Sequence, residues 1–187
     1  VMFHEYLETF LKNHLTQETW EYLPKFFGYM ILGHNDAKIA PFLHGESNTT
    51  KSSFQKLLVA TMNDYGAWRD PKIFRNKELN PMLASALPKR IICIGEMGGR
   101  EMHADHFKNI TGNEPVSCEL KNSNNGVHMK ARCTVISGCN DAPIIPDEDK
   151  ATRRRFVTIP FRHSVSGADD DPRASDIMQE KCRIAML

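Results

Sequence analysis

Several features that would assign a chain to a class at once are missing here. There is no CxxC pair. The five cysteines, Cys93, Cys118, Cys133, Cys139 and Cys182, are odd in number and most sit inside apolar runs. They read as reduced core residues of a protein in a reducing, intracellular compartment, in preference to a disulfide framework or a zinc site. The eight histidines are scattered without metal-site spacing. No stretch approaches the ~20 apolar residues that span a bilayer, and no signal peptide opens the chain, so no membrane partner is expected. Charge of one sign is also missing: 24 basic residues face 23 acidic ones, a net +1. No basic field announces a nucleic-acid binder, and any such role has to come from local patches.

What remains is ordinary globular composition, 41% apolar and 25% charged over 187 residues, enough for one domain with a sizeable core. The chain starts at Val1 and its last apolar run is barely under way at Leu187, so a segment of a longer polypeptide is expected.

Apolar residues recur at helical spacing over residues 2–32. They run Phe3, Tyr6, Leu7, Phe10, Leu11, Leu15, then Trp20, Leu23, Phe26, Phe27, Met30, Ile31, with Thr16 placed to cap the second helix. A short apolar run at 39–44 ends in the polar loop GESNTTKSS, and Phe54–Met62 reads as a helix. After a turn-rich segment, Met82–Leu87 reads as a short helix and KRIICI (89–94) as a buried strand. The runs 116–120 and 127–131 alternate apolar and polar residues around KNSNNG, a hairpin signal. CTVISG (133–138) and RFVTIPF (155–161) are further buried strands, 166–172 is a solvated loop, and Ser175 or Asp176 is placed to cap a last helix. Strands alternating with helices around the polar loop predict a three-layer α/β sheet. The expected division is a helical segment at 1–33, the α/β core at 34–165, and a loop with the start of a helix at 166–187.

Strand, then Gly45-Glu46-Ser47-Asn48-Thr49-Thr50-Lys51-Ser52-Ser53, then helix is the layout of a phosphate loop. A helix N-terminus offers unpaired N–H groups and partial positive charge to phosphate. Lys51 can reach the outer phosphates of ATP, and the Ser52 hydroxyl can ligate Mg2+. Thr50 stands where the pattern GxxxxGK[ST] has glycine, and a β-branched residue there has fewer backbone conformations and crowds the phosphates. An ordinary strand–loop–helix connection containing Lys-Ser stays open.

Three features follow in the order a ring ATPase requires. KRIICI delivers Gly95-Glu96 at its carboxyl end, where open α/β sheets put their ligands. A carboxylate there can hold the metal or polarise water, or simply face solvent. CTVISG leads to Asn140, which can bond the γ-phosphate or form a turn. Arg153, Arg154 and Arg155 precede a buried strand. They suit an arginine finger aimed at a neighbouring subunit, or a basic cluster pairing with Asp147, Glu148 and Asp149.

In joint order these pieces resemble the superfamily 3 helicases, closest to the poxvirus- and phage-type primase–helicases. The resemblance begins in YLPKFFGYMILG and GESNTTKSS. It continues through NDYGAW, ASALPKRIICIGEM, FKNITGNE, TVISGCNDAPIIPDEDKATRRR and FVTIPF, covering most of the chain. It implies an AAA+-like phosphate-loop sheet with flanking helices and an inserted hairpin. It matches Lys51 and Ser52 to Walker A, Glu96 to the Walker B acid, and Asn140 to the sensor. Arg155 fits the arginine finger best, with Arg154 second. It implies that the segment from Phe107 to about Lys130 is a strand-gripping hairpin in a channel, to which Lys121, His128, Lys130 and Arg132 lend a basic edge. An exposed edge with solvated charges is the alternative. The implied activity is ATP-dependent, Mg2+-dependent translocation on single-stranded nucleic acid, DNA first, by a homo-oligomeric ring, a hexamer, in viral, phage or mobile-element replication. In a virus it would act in the host cytoplasm or nucleus. A ring scaffold with weakened turnover, or a single-strand-binding module keeping the fold, are the competing readings.

Overall fold

The computed structural model describes residues 2–74, 81–97, 102–119, 126–142, 144–145, 149–162, 164 and 173–182. Its centre is a five-stranded parallel sheet of β1 (Ala40–His44), β2 (Gly66–Arg69), β3 (Ile91–Ile94), β6 (Thr134–Cys139) and β7 (Phe156–Pro160). They lie side by side in the order β2-β3-β6-β1-β7. A separate antiparallel pair, β4 (Pro115–Glu119) and β5 (Gly126–Lys130), forms the expected hairpin between β3 and β6, with Ser117 opposite His128.

Successive side chains on these strands point to opposite faces, and each face has its own core. Phe42, Ile92, Ile94 and Val135 enter one, with Leu83, Phe107 and Ile110 from the helices α4 (Pro81–Ala86) and α5 (Ala104–Thr111) and with Val116 and Cys118 from the hairpin. Leu43, Ile91, Cys93 and Ile136 enter the other. There they meet α1 (Met2–His14), α2 (Gln17–Ile31) and α3 (Lys51–Met62), together with Met178 and Cys182 of the last helical piece. The strands read as unbroken apolar runs because both faces are covered, as parallel sheets require. The expected three-layer α/β architecture with flanking helices and an inserted hairpin is the observed one.

All five cysteines are buried and none is in a disulfide, as core residues. Thr16 caps α2 as expected, its Oγ1 accepting from the Thr19 N–H at 3.2 Å. Two expectations need correction. The turn-rich stretch after α3 contains a fifth parallel strand, β2, which pairs Ala67 with Ile92. It has four residues, opens on glycine and buries only Ala67, too little pattern to announce a strand. The last helix, α7 (Ala174–Ile177), takes Arg173 at its cap position rather than Ser175 or Asp176, and neither of those lies ahead of its first turn. It continues as a wider, π-type stretch at Met178–Cys182. Among the described residues no helix is long and apolar enough to cross a membrane.

Candidate active site

Every strand of a parallel sheet ends on the same edge, so the loops after β1, β3 and β6 meet. They enclose a cleft of about 370 Å³ lined by residues 47–53, Gln55, Gly95, Glu96, Gly138 and Asn140. The structure therefore brings together Ser47, Asn48, Thr49, Thr50, Lys51, Ser52, Ser53, Glu96 and Asn140. Gly45 and Glu46 lie directly beneath, as the carbonyl partners of Lys51.

Gly45 is dictated by crowding: a Cβ there would sit 2.1 Å from the Phe161 carbonyl oxygen. At that point β7 ends against β1, with the Phe161 N–H donating to the His44 carbonyl at 2.7 Å. The loop then turns through Asn48 and Thr50, both in the left-handed region (φ 59° and 63°). Thr50 occupies the cap position of α3 with φ 63° and caps nothing with its side chain. Glycine would take that φ freely, whereas a β-branched residue there is strained by about 1–2 kcal/mol. The Phe54 N–H is bonded to the Thr50 carbonyl at 3.0 Å. The N–H groups of the first turn of α3 are thus the orphan donors of a helix start, at the positive end of its dipole.

Lys51 is buried. Its Nζ donates to the Gly45 carbonyl at 2.6 Å, the Glu46 carbonyl at 2.5 Å and Thr49 Oγ1 at 2.9 Å. Burial pushes its ammonium below the ordinary lysine range, and the negative charge of Glu96 partly pulls it back up. The loop's own carbonyl oxygens thus occupy the donors that phosphate oxygens would take. Across the cleft the Asn140 backbone N–H donates to Glu96 Oε1 at 3.0 Å, linking the ends of β6 and β3. Among the described residues no three His, Cys, Asp or Glu side chains gather to hold a metal. With the exposed Ser52 hydroxyl and Glu96 as the protein oxygens, this site suits a Mg2+ that completes its shell with water and phosphate.

Sequence reading missed Gln55. It is 1% exposed, and its Nε2 donates to the Ile94 carbonyl at 2.9 Å and the Ile136 carbonyl at 3.1 Å. One helix side chain thereby holds the strands that carry Glu96 and Asn140, and Gly138 leaves room for it, since a Cβ there would lie 2.9 Å from Gln55 Oε1. A glutamine inside a helix gives no sign of this without knowledge of what faces it.

The arginine run lies elsewhere. Phe156 pairs with Ala40 at the start of β1, and five residues of strand, about 16 Å, separate it from the phosphate loop. Arg153, Arg154 and Arg155 therefore sit on the edge opposite the cleft of their own chain. Arg155, first choice for the finger, is held internally: its Nη1 donates to the Lys108 carbonyl at 2.8 Å and to Thr111 Oγ1 at 2.7 Å. Burial lowers its pKa, partly offset by Asp149 and Glu114. Arg154, the second choice, is exposed. The expected acidic partner Asp149 instead caps α6 (Lys150–Arg153), accepting from the Thr152 N–H at 2.9 Å. Asp147 and Glu148 fall outside the described residues.

The hairpin presents His128 and Lys130 on its exposed face, with His128 Nδ1 3.0 Å from Ser117 Oγ. Val116 and Cys118 are buried on its other face, with Val127 and Met129 packed against the core. Lys121 falls outside the described residues.

Residues 43–155 match the model of a family described only as one of unknown function, DUF5906. The chain belongs to this family. The DUF5906 chain is also 25% identical over 130 residues to Primase D5 of Fowlpox virus (strain NVSL), over 65% of its own length and 16% of that protein. Its fold is that of the NrS-1 C-terminal region, with a TM-score of 0.72 at 16% identity over 96% of this chain and 42% of that one. The X-ray structure of JCV Helicase gives 0.61 at 13% identity over 95% and 51%. The resemblance to the superfamily 3 type, poxvirus primase–helicase included, therefore holds. The chain spans about a sixth of the fowlpox protein and about half or less of the two structures.

Proposed function

We propose that this chain is the ATP-hydrolysing motor core of a superfamily 3 helicase that translocates on single-stranded DNA as a homo-oligomeric ring. The observation that carries the reading is the convergence of a phosphate loop, Lys51, Ser52, Glu96 and Asn140 from three strand ends on one cleft. Chemistry in such a site is positioning and charge neutralisation. Orphan N–H groups and Lys51 bind the phosphates, Ser52 and Glu96 hold Mg2+ and orient water, and Asn140 contacts the γ-phosphate. Among the described residues no second cation lines the cleft opposite Lys51. Arg154 lies too far from its own cleft and is exposed, so we assign it as the finger for a neighbouring protomer. Arg155, bound to its own α5, is the weaker choice. Lys121, His128 and Lys130 supply the strand contacts. The relatives named primase and helicase support this reading, which implies ATP and Mg2+ as the ligands of the loop.

A ring scaffold with weakened turnover is the second reading, favoured by the strained Thr50 and by Lys51 being tied to its own loop. ATPase activity measured with and without single-stranded DNA over a range of protein concentrations separates the two. The motor gives turnover that the strand stimulates and that rises more steeply than protein concentration. ATP binding without turnover at any concentration would leave the scaffold.

A further inference from the structure

The arginine run and the hairpin are joined through one helix. Arg155 is the hub. Its carbonyl accepts from the Ala40 N–H at 2.6 Å, which fixes its backbone to the central sheet. Its guanidinium caps the last turn of α5 through the Lys108 carbonyl and Thr111 Oγ1, where a positive charge also meets the negative end of the helix dipole. Thr111 is fully buried and anchored in turn, its Oγ1 donating to the Phe107 carbonyl at 2.6 Å. Gly112 leaves space for the guanidinium, because a Cβ there would lie 3.1 Å from Arg155 Nη1. Two further contacts bind the same elements: Lys108 Nζ lies 3.6 Å from the Asp149 carboxylate that caps α6. Phe107 stacks on Phe156 at 4.9 Å between ring centres, 9° from parallel. Four residues after Thr111 the chain enters β4 of the hairpin. Arg154, one residue before the hub, is exposed.

We propose that Arg155 is a positioning residue that locks the arginine-bearing end of α6 to α5 and its hairpin, so that engagement of Arg154 at a neighbour's nucleotide is carried to the strand-binding surface. This rests on the ring-motor reading above. Coupling between separated sites can be carried by a contiguous network of packed and hydrogen-bonded groups, and Arg155 closes one with hydrogen bonds from its backbone and its side chain. Both bonds leave one nitrogen, Nη1, which the planar guanidinium holds in place; a lysine ammonium on its flexible stem keeps the charge without that fixed geometry, and a glutamine keeps no charge.

The test uses the whole protein and three readouts: ATP binding, turnover without strand, and turnover with saturating single-stranded DNA. Thr111→Val removes one acceptor from the far side of the joint. It should keep ATP binding and unstimulated turnover while the stimulation by strand falls about five- to tenfold. Arg155→Gln should lower the stimulation ratio at least as far, Arg155→Lys should recover part of it, and Thr111→Val combined with Arg155→Gln should be no worse than Arg155→Gln alone. A stimulation ratio unchanged in Thr111→Val and in Arg155→Gln overturns the proposal. So does an Arg155→Gln protein that binds ATP but loses both turnovers alike, which would make Arg155 the finger. If Arg155→Gln fails to fold, Thr111→Val decides alone. A wild-type protein without strand-stimulated turnover would overturn the motor reading, and this proposal with it, before any variant is made.

Discussion

At the edge where its strands end, the molecule concentrates its chemistry within single loops. At the edge where they begin, it distributes polar residues over elements far apart in sequence. The cleft draws most of its lining from residues 47–53, and the rest from Gln55 of the helix that follows and from Gly95, Glu96, Gly138 and Asn140 at the ends of two buried strands. The opposite edge joins Arg155 to Thr111 across 44 positions and sets the hairpin beside them. A nucleotide site needs one helix start and a few strand ends, which a contiguous segment supplies. In the ring proposed above, the opposite edge would bring its cation and its strand contacts to one surface, which only the folded chain can do. On that reading the first edge is nearly complete in one chain, whereas the second would meet a nucleotide only in a neighbour.

The comparison breaks most visibly at the arginines. Arg154→Ala should lower turnover by about 10³-fold or more, equal to about 4 kcal/mol of transition-state stabilisation, with ATP binding unchanged. A turnover assay beside a nucleotide-binding assay shows this, and full activity would return the finger to another residue. Next in size is a change inside the cleft edge. Gln55→Leu leaves the Ile94 and Ile136 carbonyls without their side-chain donor. It should lower unfolding free energy by about 1–3 kcal/mol and turnover with it, as read by denaturant titration. A protein of wild-type stability would show that Gln55 holds nothing in place.

Smaller effects are expected on the hairpin. Lys130→Ala should weaken single-strand binding several-fold and reduce the slope of log affinity against log salt by about 0.7, with turnover in the absence of strand preserved. A salt slope that does not move would place the strand elsewhere on this edge. Smallest of all is Thr50→Gly. Relief of about 1–2 kcal/mol of left-handed strain is offset by up to about 1 kcal/mol from the freer unfolded chain, so stability should stay near or slightly above wild type. Nucleotide affinity should hold or rise. A strong loss of affinity would mean that the loop is tuned around threonine.

The same contrast accounts for what could be read from the sequence. The phosphate loop, Glu96 and Asn140 were legible because each is fixed by its neighbours in the chain, a helix start or the end of an apolar strand. The hairpin was legible from its alternation, within one residue of its observed limits. β2 was not, since four residues opening on glycine carry no periodic signal. Gln55 and the docking of Arg155 were hidden because both bond acceptors at least 39 positions away. The left-handed φ of Thr50 was foreshadowed only as a glycine position filled by another residue.

The central claim is that a complete site is made by two copies of this chain, one giving Lys51 and the other an arginine from the opposite edge. Mixing Lys51→Ala protein with Arg154→Ala protein tests it directly by turnover. Each variant alone is inactive, the first lacking the phosphate-binding amine and the second lacking the cation for its neighbour. In a mixed assembly some clefts pair an intact Lys51 with an intact Arg154, so partial recovery of ATP hydrolysis is expected, peaking near equal proportions. A mixture as inactive as its components, although the two variants co-assemble, would contradict a shared site, as would an isolated protomer that hydrolyses ATP as fast as the assembly.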